Sequence, residues 1–501
     1  MNKLLNILLI IGVMLIAFSC YKDQGNYDYS DWEEITITNV EDTYTKSFMT
    51  ERLTVTPGVS SNIPDADIQY YWTYGGYKDT IATGAVLDTL VTWLPNQLHY
   101  IYLHAQNKKT GYTATKRFGL VVNTPFLNKW YVLKDDGQNS ELDMYDQEDY
   151  SLTTNILKLV NGNNFIMRGK GEKFAYYARH YRFNEETTKL ERTKTLFVLS
   201  EDDIVGVDAA QFNALWTYDN MFNITAEEEP GPSFYGVGTN ALVLVNSGQV
   251  YTISSSSASN GKWGVKKEIN LAGDPYHVSK YVFNDYFYSQ LLFDDLGSSF
   301  YTVTNYNVVM NPAVDDPSTE MPATNNGKKL LYMGTNKAYV VTYGYAVMQD
   351  KTDPDLKMIT RVKYGGSKVT LRNDTLQTGV DKAYNGQLFT MARPEQGLYF
   401  IADNALYYRN VSSKDGSESL EYELPAGETA SFVRCDDNNY VVLGTQIGAG
   451  YKVRFFKKTT AGHINTVPDF TLPREGETAE GTARDIIFVN ANMPGFAIYS
   501  W

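Results

Sequence analysis

The sequence contains few of the residues that usually bind zinc ions. Its 501 residues include only two cysteines and five histidines, namely His99, His104, His180, His277 and His463. No His-Glu-x-x-His or Cys-x-x-Cys motif occurs, so we expect no structural or catalytic zinc. His99 and His104 are five positions apart on a predicted strand, which places them on opposite faces. A shared metal between these two histidines is therefore excluded.

Catalytic motifs are equally scarce. The chain has no Gly-x-Ser-x-Gly elbow and no glycine-rich phosphate loop before a helix. Acidic clusters near Asp135, Asp315 and Asp350 do not follow the spacing of the twelve-residue calcium loop. We interpret them as hairpin turns, with a calcium ion in a loop as the alternative. The sequence thus predicts no catalytic residue, no metal and no cofactor.

Positive charge is in deficit, with 44 lysines and arginines against 58 acidic residues and a net charge of -14. Nucleic acid and anionic lipid headgroups both require basic patches, so we expect neither as a partner. Aromatic residues are abundant, with 39 Tyr, 23 Phe and 7 Trp, and they favour strands over helices. A chain of this length can form two or more domains.

Only one long apolar run is present, from Leu4 to Phe18, and it is shorter than the roughly 20 residues of a membrane span. Lys3 precedes it, and small Ser19 and then Cys20 follow it. This pattern predicts a lipoprotein signal peptide over 1–19, with Cys20 lipidated. Two or more acyl chains on Cys20 would anchor the protein stably to a membrane. The alternative is an ordinary secretory signal with a chance cysteine. Ala17, three positions before Cys20, departs from the leucine that lipoprotein signals prefer there.

The residues after the run are Cys-Tyr-Lys-Asp-Gln-Gly-Asn-Tyr-Asp-Tyr, from Cys20 to Tyr29. This opening closely resembles the start of the PKD-like lipoprotein family of Bacteroidota. The resemblance implies a lipoprotein of the outer membrane, encoded beside a TonB-dependent importer of the SusC/SusD type. Lys22-Asp23 is also similar to the short signal that sends such lipoproteins to the cell surface. The importer is thus the partner that the resemblance implies.

The N-terminal part of the chain predicts a tether over 20–34 and a β-sandwich of immunoglobulin type over 35–123. Short alternating strands and close turn signals support the sandwich, with Trp72 as its core tryptophan. Tyr71-Trp72 on one strand and Tyr100 to Ala105 before the Thr110-Gly111 turn resemble a PKD domain. Thr124-Pro125 is a predicted boundary, because proline donates no backbone hydrogen bond.

From Trp130 onward, pairs of short apolar runs recur about every 45–50 residues, with a wider first gap. This period is typical of propeller blades, since one blade cannot bury its own faces and a closed ring of blades can. We predict a β-propeller over 126–501 with seven or eight blades, and so an all-β chain. A long β-sandwich or a β-solenoid is the alternative. One helix is predicted from Asp208, with Trp216 as a packing residue.

Aromatic side chains are the best candidates for a ligand platform, because exposed rings bind sugars and extended peptides. The densest group, which packing between blades would also explain, contains Tyr276, Tyr281, Tyr286, Phe287 and Tyr288.

Cys435 is interpreted as a small core residue.

The sequence and the resemblance together predict a surface-exposed accessory lipoprotein that binds a glycan or a peptide and presents it to the importer. Two alternatives stay open. One is a propeller hydrolase, such as a glycosidase with carboxylates in its central funnel. The other is a structural subunit of the importer complex that has no ligand of its own.

Overall fold

The structure is a computed structural model, and it describes residues 32–490 except for short gaps. The gaps are 77–78, 94, 96–97, 185–187, 238–240, 255–259, 284–289, 305–306, 336–342, 366–367, 393–395, 413, 436–439 and 460–461. The chain divides into two compact units, Met1–Asn123 and Thr124–Trp501. The predicted boundary at Thr124-Pro125 adjoins this division. The predicted signal peptide, Cys20 and most of the predicted tether lie outside the described residues.

The N-terminal unit is a β-sandwich. Its strands are β1 (Ile35–Thr38), β2 (Thr43–Ser47), β3 (Arg52–Val55), β4 (Gly58–Ser61), β5 (Ile68–Tyr74), β6 (Asp79–Thr83), β7 (Leu87–Leu90), β8 (Leu98–Asn107) and β9 (Thr113–Asn123). The largest sheet has the order β2-β9-β8-β5-β6, and the pairs β1-β4 and β3-β7 form two smaller sheets. β2 runs parallel to β9, whereas the other neighbours in the large sheet are antiparallel.

Trp72 is the core tryptophan of this unit, as predicted. It lies on β5 and is fully buried. Its ring contacts Phe118 edge-on, with the ring centroids 6.3 Å apart, and its indole N–H donates to the backbone oxygen of Gly84 at 2.9 Å. A buried indole needs such an acceptor, because an unpaired N–H inside the core would lose its hydrogen bond to water.

In its described residues, the C-terminal unit contains the remaining strands and two short helices. The first elements are β10 (Lys129–Asp135), β11 (Asn139–Asp146), β12 (Leu152–Thr153), helix α1 (Ile156–Asn161), β13 (Met167–Arg168), β14 (Gly171–Asn184), β15 (Lys189–Ser200), β16 (Ile204–Asp208), β17 (Ala214–Thr217), β18 (Pro232–Val237), β19 (Ala241–Asn246), β20 (Gln249–Ser254), β21 (Val278–Phe283), β22 (Gln290–Asp294), β23 (Ser299–Val303) and β24 (Asn311–Pro312). Then follow β25 (Val314–Asp315), β26 (Lys328–Thr335), β27 (Gly344–Asp350), β28 (Lys357–Gly365), β29 (Lys368–Thr375), a 3-10 helix (Lys382–Asn385), β30 (Gln387–Ala392), β31 (Gly397–Ala402), β32 (Ala405–Asn410), β33 (Glu418–Glu423), β34 (Glu428–Cys435), β35 (Tyr440–Ile447), β36 (Gly450–Lys457), β37 (Phe470–Leu472) and β38 (Thr482–Val489).

The described strands form seven blades of a β-propeller. Blades 1 to 3 are β14-β15-β16-β17, β18-β19-β20 and β21-β22-β23-β24. Blades 4 to 6 are β26-β27-β28-β29-β25, β30-β31-β32-β33 and β34-β35-β36-β37. Blade 7 has the order β38-β10-β11-β12, with β13 beside β11. The first strand of each series is the innermost one, and each innermost strand lies beside that of the next blade.

The ring closes in blade 7, where the two ends of the unit share one sheet. β38 pairs antiparallel with β10, from Lys129 opposite Val489 to Asp135 opposite Thr482. The sequence repeat predicts seven or eight blades because Trp130 and Ile486 each begin an apolar run. The structure places both runs in this one blade. Of the two predicted blade numbers, seven is therefore correct.

Apolar clusters between neighbouring blades form the core. One example is the cluster between blades 3 and 4, which includes Phe293, Phe300 and Met348. Similar clusters lie between blades 1 and 2, 2 and 3, 4 and 5, 5 and 6, and 6 and 7. Between blades 7 and 1, the rings of Tyr131 and Phe212 stack at 4.3 Å. Each blade is thus buried by its neighbours, as the ring architecture requires.

The helix predicted from Asp208 is wrong. Asp208 ends β16, and its carboxylate accepts hydrogen bonds from the backbone N–H groups of Ala210 and Gln211. Phe212 then adopts a left-handed conformation with φ 58°, and the chain turns back into β17. The carboxylate caps a turn in place of a helix, because pairing with β16 satisfies the backbone of the following residues. Trp216 is buried in the cluster between blades 1 and 2, as predicted.

Helix α1 was not predicted, and the carboxylate of Glu141 holds its first turn. That carboxylate accepts from the backbone N–H groups of Leu157 at 2.8 Å and Lys158 at 3.1 Å. Burial nevertheless raises the pKa of Glu141, against the effect of these bonds.

No helix in the described part of the chain is long and apolar enough to cross a membrane.

Candidate functional site

The predicted aromatic platform is only partly described. Tyr286, Phe287 and Tyr288 lie outside the described residues. Tyr276 is buried, and its hydroxyl donates to the backbone oxygen of Lys267 at 2.6 Å and accepts from the N–H of Val250 at 3.1 Å. Tyr276 is therefore a packing residue and offers no exposed ring face to a ligand.

Tyr281 is half-buried where blades 3 and 4 meet. Its ring contacts Tyr332 edge-on, with the centroids 5.3 Å apart, and it packs against the apolar clusters on both sides of blade 4. Burial raises the pKa of its hydroxyl. The structure thus separates Tyr276 and Tyr281 into different packing environments and does not bring them together as one surface.

The histidines and acidic clusters have local structural partners. His104 contacts the hydroxyls of Thr73 and Thr115, each at 3.0 Å, and His99 contacts that of Tyr74 at 2.9 Å. The acidic clusters cap turns: Asp136 accepts from Gln138 and Asn139, and Asp350 accepts from Thr352 and Asp353. Among residues 32–490 outside the gaps, no group of three or more acidic, histidine or cysteine side chains could hold a metal.

Charged side chains of the innermost strands meet at the centre of the ring. Lys280 on blade 3 reaches Glu172 on blade 1 at 3.5 Å, and Arg434 on blade 6 pairs with Asp485 on blade 7. Asp485 also accepts from the backbone N–H of Phe174 at 2.7 Å, so it joins three blades. Burial lowers the pKa of Lys173, beside these groups, to about 8, and the charge of Lys280 adds to the effect. Both carboxylates are thus held by cations from other blades.

A cleft of about 360 Å³ lies on blade 2, and its charged lining residues are mainly acidic. It includes Glu228 of the loop Glu227 to Pro232. The hydroxyl of Tyr251 donates to the Glu228 carboxylate, and Lys266 lies 3.5 Å from it. These contacts tie the loop to the blade, so Glu228 is part of the fold's own hydrogen bonding.

A cleft of about 250 Å³ on blade 4 has the opposite character. It is lined by Asp316, Ser318, Tyr343, Arg361, Lys363, Thr370 and Arg372. Three of these seven residues are basic in a chain whose net charge is -14. We call this site the cationic cleft, and it is the strongest candidate for a binding site.

Strand alternation produces the cationic cleft. β28 and β29 form a hairpin in which Gly365 pairs with Lys368. Val362 and Tyr364 on β28 are buried in the cluster between blades 3 and 4, and so are Val369 and Leu371 on β29. The residues that alternate with them point to the other face of the blade. That face carries Arg361, Lys363, Thr370 and Arg372.

Register brings the cations together across the two strands. Arg361 lies directly opposite Arg372, and Lys363 lies directly opposite Thr370. Directly opposed side chains on antiparallel strands have Cβ atoms about 4.5–5.5 Å apart. The guanidinium carbon of Arg361 also lies 3.8 Å from the centroid of the Tyr343 ring. The ring therefore fixes the position of the guanidinium by a cation–π contact.

Asp316 and Ser318 form the remaining wall. The backbone N–H of Asp316 donates to the oxygen of Val369 at 2.9 Å, which fixes the loop after β25 against β29. The hydroxyl of Ser318 donates to Asp316 at 2.6 Å, and the N–H of Ser318 donates to the same oxygen at 3.0 Å. These bonds lower the pKa of Asp316, and Lys368 and Lys363 contribute to the effect. The cleft thus presents an ionised carboxylate beside several cations.

Sequence reasoning missed the cationic cleft, although a signal for it exists. Basic residues alternate with apolar ones on both arms of a Gly-Gly turn, as Arg-Val-Lys-Tyr from Arg361 and Lys-Val-Thr-Leu-Arg from Lys368. Such a pattern predicts a hairpin with one apolar and one cationic face.

Comparison with known protein families gives a match for the first part of the chain. Residues 20–169 match the model of the PKD-like family. The predicted resemblance to that family is confirmed for this segment. The matched segment covers the N-terminal unit from residue 20 onward and continues into the first strands of the propeller. No curated protein matches the chain.

Several solved structures resemble the fold at low identity. A quinonprotein alcohol dehydrogenase-like protein from Bacteroides thetaiotaomicron is 11% identical, with 89% of this chain and 96% of that chain covered and a TM-score of 0.47. A protein from Lactobacillus plantarum is 13% identical, with 73% and 100% covered and a TM-score of 0.44. A DUF4784 family protein from Bacteroides caccae is 7% identical, with 91% and 99% covered and a TM-score of 0.30. Likeness at this level carries no inference about activity.

Proposed function

We propose that this protein is a lipid-anchored binding protein of the outer-membrane surface, which captures a ligand and presents it to an importer of the SusC/SusD type. The cationic cleft carries the binding part of the proposal, because it is an open, polar site whose cations are not used by the fold. Ser19-Cys20 and the match of residues 20–169 to the PKD-like family support the anchored, surface-exposed part.

Binding fits the geometry better than hydrolysis does. A propeller glycosidase would need two carboxylates that face a substrate in the central funnel. Two carboxylates on the described innermost strands, Glu172 and Asp485, instead contact Lys280 and Arg434. Their present contacts are those of an ion-pair network that joins blades. We therefore assign the centre of the ring a structural role.

The test of the anchor is the variant Cys20→Ala in the native host. We expect the lipoprotein to fractionate with outer membranes and the variant to be released, because the thiol that accepts the lipid is gone. Cys435→Ala is the matched control, since Cys435 is buried in the propeller and should leave the fractionation unchanged. If the Cys20→Ala variant remains in the outer-membrane fraction, the assignment of Cys20 as the lipid anchor is wrong.

The test of the partner is an affinity pull-down of the native lipoprotein, followed by mass spectrometry of the retained proteins. A SusC/SusD-type pair in the eluate is the expected result. An eluate without such a pair, from membranes that contain one, would contradict the role in import.

A further inference from the structure

The cations of the cationic cleft have no ion-pair partner in the described part of the chain. Among the described residues, no salt bridge of 4.0 Å or less involves Arg361, Lys363 or Arg372, although the charge of Lys363 contributes to the lowered pKa of Asp316. Other arginines of the propeller that are equally constrained do have partners: Arg409, Arg434 and Arg454 each pair with carboxylates. In a chain with 58 acidic residues, three basic lining residues beside one acidic one, Asp316, are an unusual local excess of positive charge.

The position of Arg361 opposite Arg372 works against stability, because like charges directly opposite on paired strands repel. An anion bound between the two guanidinium groups would remove that repulsion. The fold therefore keeps an unfavourable arrangement that a ligand of opposite charge would make favourable.

Arg361 is also oriented before any ligand binds. Its guanidinium lies against the Tyr343 ring at 3.8 Å, and its Nε is shielded from solvent without a hydrogen-bond partner among the described residues. The planar fork of arginine matches the two oxygens of a carboxylate or a sulfate. A fork held in place loses less conformational freedom on binding than a free side chain does.

The other lining residues indicate what carries the anionic group. Asp316 would repel a bare anion, but its carboxylate can accept hydrogen bonds from the hydroxyls of a sugar. Ser318 and Thr370 add hydroxyl groups that both donate and accept. Aliphatic side chains, which form the pockets that hold peptide side chains, are absent from the described lining. A volume of about 250 Å³ suits one charged sugar residue and not a long segment.

We propose that the cationic cleft binds an acidic sugar residue, a uronate or a sulfated sugar, within a polysaccharide. Arg361 and Arg372 hold the carboxylate or sulfate, Lys363 adds long-range attraction, and Asp316 accepts from the sugar hydroxyls. This inference rests on the proposed role as a binding protein and names the class of its ligand. The acidic surface elsewhere would keep polyanions from binding at other places.

The test is isothermal titration calorimetry of the full-length lipoprotein in a neutral detergent. The probes are an oligogalacturonate, a heparin oligosaccharide, a neutral galactan oligosaccharide, hexaglutamate and inorganic sulfate. We expect at least one acidic oligosaccharide to bind about tenfold or more tightly than the neutral one. Its affinity should fall as salt is raised, because the attraction between exposed charges is screened.

The variants Arg361→Gln and Arg372→Gln should each weaken that binding about tenfold or more. Arg372 is exposed, so its replacement keeps the test valid if Arg361→Gln disturbs the blade. Arg192→Gln is the matched control, since Arg192 is an exposed strand arginine that lies 5.1 Å from the Tyr181 ring on blade 1, outside the cleft. The control should bind as the wild type does.

Several results would overturn the inference. They are no binding of either acidic oligosaccharide, equal binding of the neutral one, unchanged binding by both cleft variants, or hexaglutamate binding as tightly as the sugars. Binding of sulfate alone, with no gain from an attached sugar, would also contradict it. The importer pull-down is independent of all of these results, so failure of this inference and failure of the proposed function can be distinguished.

Discussion

Arg409 and Arg361 lie in adjacent blades, each on the third strand from the centre, and their surroundings differ completely. Arg409 on blade 5 is 1% exposed and contacts Asp381 at 2.7 Å, Glu418 at 2.8 Å and Asp374 at 3.0 Å. Arg361 on blade 4 contacts a tyrosine ring and no carboxylate of the described residues. The first arginine joins blade 5 to Asp374 of blade 4, whereas the second leaves its charge available.

This difference separates two uses of the same side chain. Surrounding carboxylates offset the cost of burying a charge, so an arginine such as Arg409 belongs to the fold. An arginine that is fixed in position but has no counter-ion adds little to the fold and can serve a ligand. The predictions below test this separation, from the largest expected effect to the smallest.

Arg409→Gln should have the largest effect on stability. Its loss leaves the carboxylates of Asp374, Asp381 and Glu418 close together without a counter-ion, and breaking such a buried group costs about 3–5 kcal/mol. Urea unfolding followed by tryptophan fluorescence measures the change. Arg361→Gln is the matched control. Equal stability of the two variants would contradict the comparison.

Asp485→Asn should weaken the closure of the ring by on the order of 2–3 kcal/mol. The asparagine can still accept from the N–H of Phe174, but Arg434 loses its counter-ion at the junction of blades 6, 7 and 1. We expect a lower thermal unfolding midpoint and faster proteolysis of the propeller. Asp403→Asn, at an exposed ion pair with Lys382, is the control and should change little. A wild-type midpoint for Asp485→Asn would mean that the closure does not depend on this pair.

Glu428→Gln should reduce the amount of stability that the protein loses when the pH is lowered. Burial alone raises the pKa of Glu428, but hydrogen bonds from Arg454 and Thr445 outweigh it and lower the pKa below 4.5. Because the folded state binds this proton less readily, the pair stabilises the protein fully above pH 4.5, and the contribution is lost as pH falls through the folded pKa.

The measurement for Glu428→Gln is the urea midpoint at pH 7 and at about pH 3.5, in the variant and the wild type. The variant should be less stable at pH 7 and should lose less on acidification. A parallel loss in both proteins would show that the pair carries no pH-dependent stability.

Arg372→Gln should have the smallest effect on the ligand-free protein. Removing one of two opposed like charges relieves repulsion, so we expect a change between zero and about 0.5 kcal/mol of added stability. Urea unfolding without ligand measures it. A loss of more than about 1 kcal/mol would show that Arg372 supports the fold.

Much of the fold could be predicted from the sequence because it depends on local patterns. Strand alternation located the sandwich and its core Trp72, and the spacing of apolar runs located the blades. The blade number could not be fixed, since the pairing of β38 with β10 joins residues more than 340 positions apart. No local pattern shows that two runs share one sheet.

The candidate site was harder to predict because register creates it. Arg361 and Arg372 are eleven positions apart, and only the exact pairing of β28 with β29 places them opposite each other. The predicted helix from Asp208 was wrong for a related reason. Its local capping pattern fits a turn equally well, and pairing with β16 decided between the two.

The most direct test of the ligand-binding role of Arg361 measures stability and binding in the same variant. The urea midpoints of the wild type and Arg361→Gln are compared without ligand and with each acidic oligosaccharide at saturation. A ligand at 100 times its Kd stabilises the folded state by about 2.7 kcal/mol. We expect equal midpoints without ligand and a ligand-dependent rise in the wild type that Arg361→Gln lacks. A destabilised variant that shows the same rise as the wild type would contradict that role.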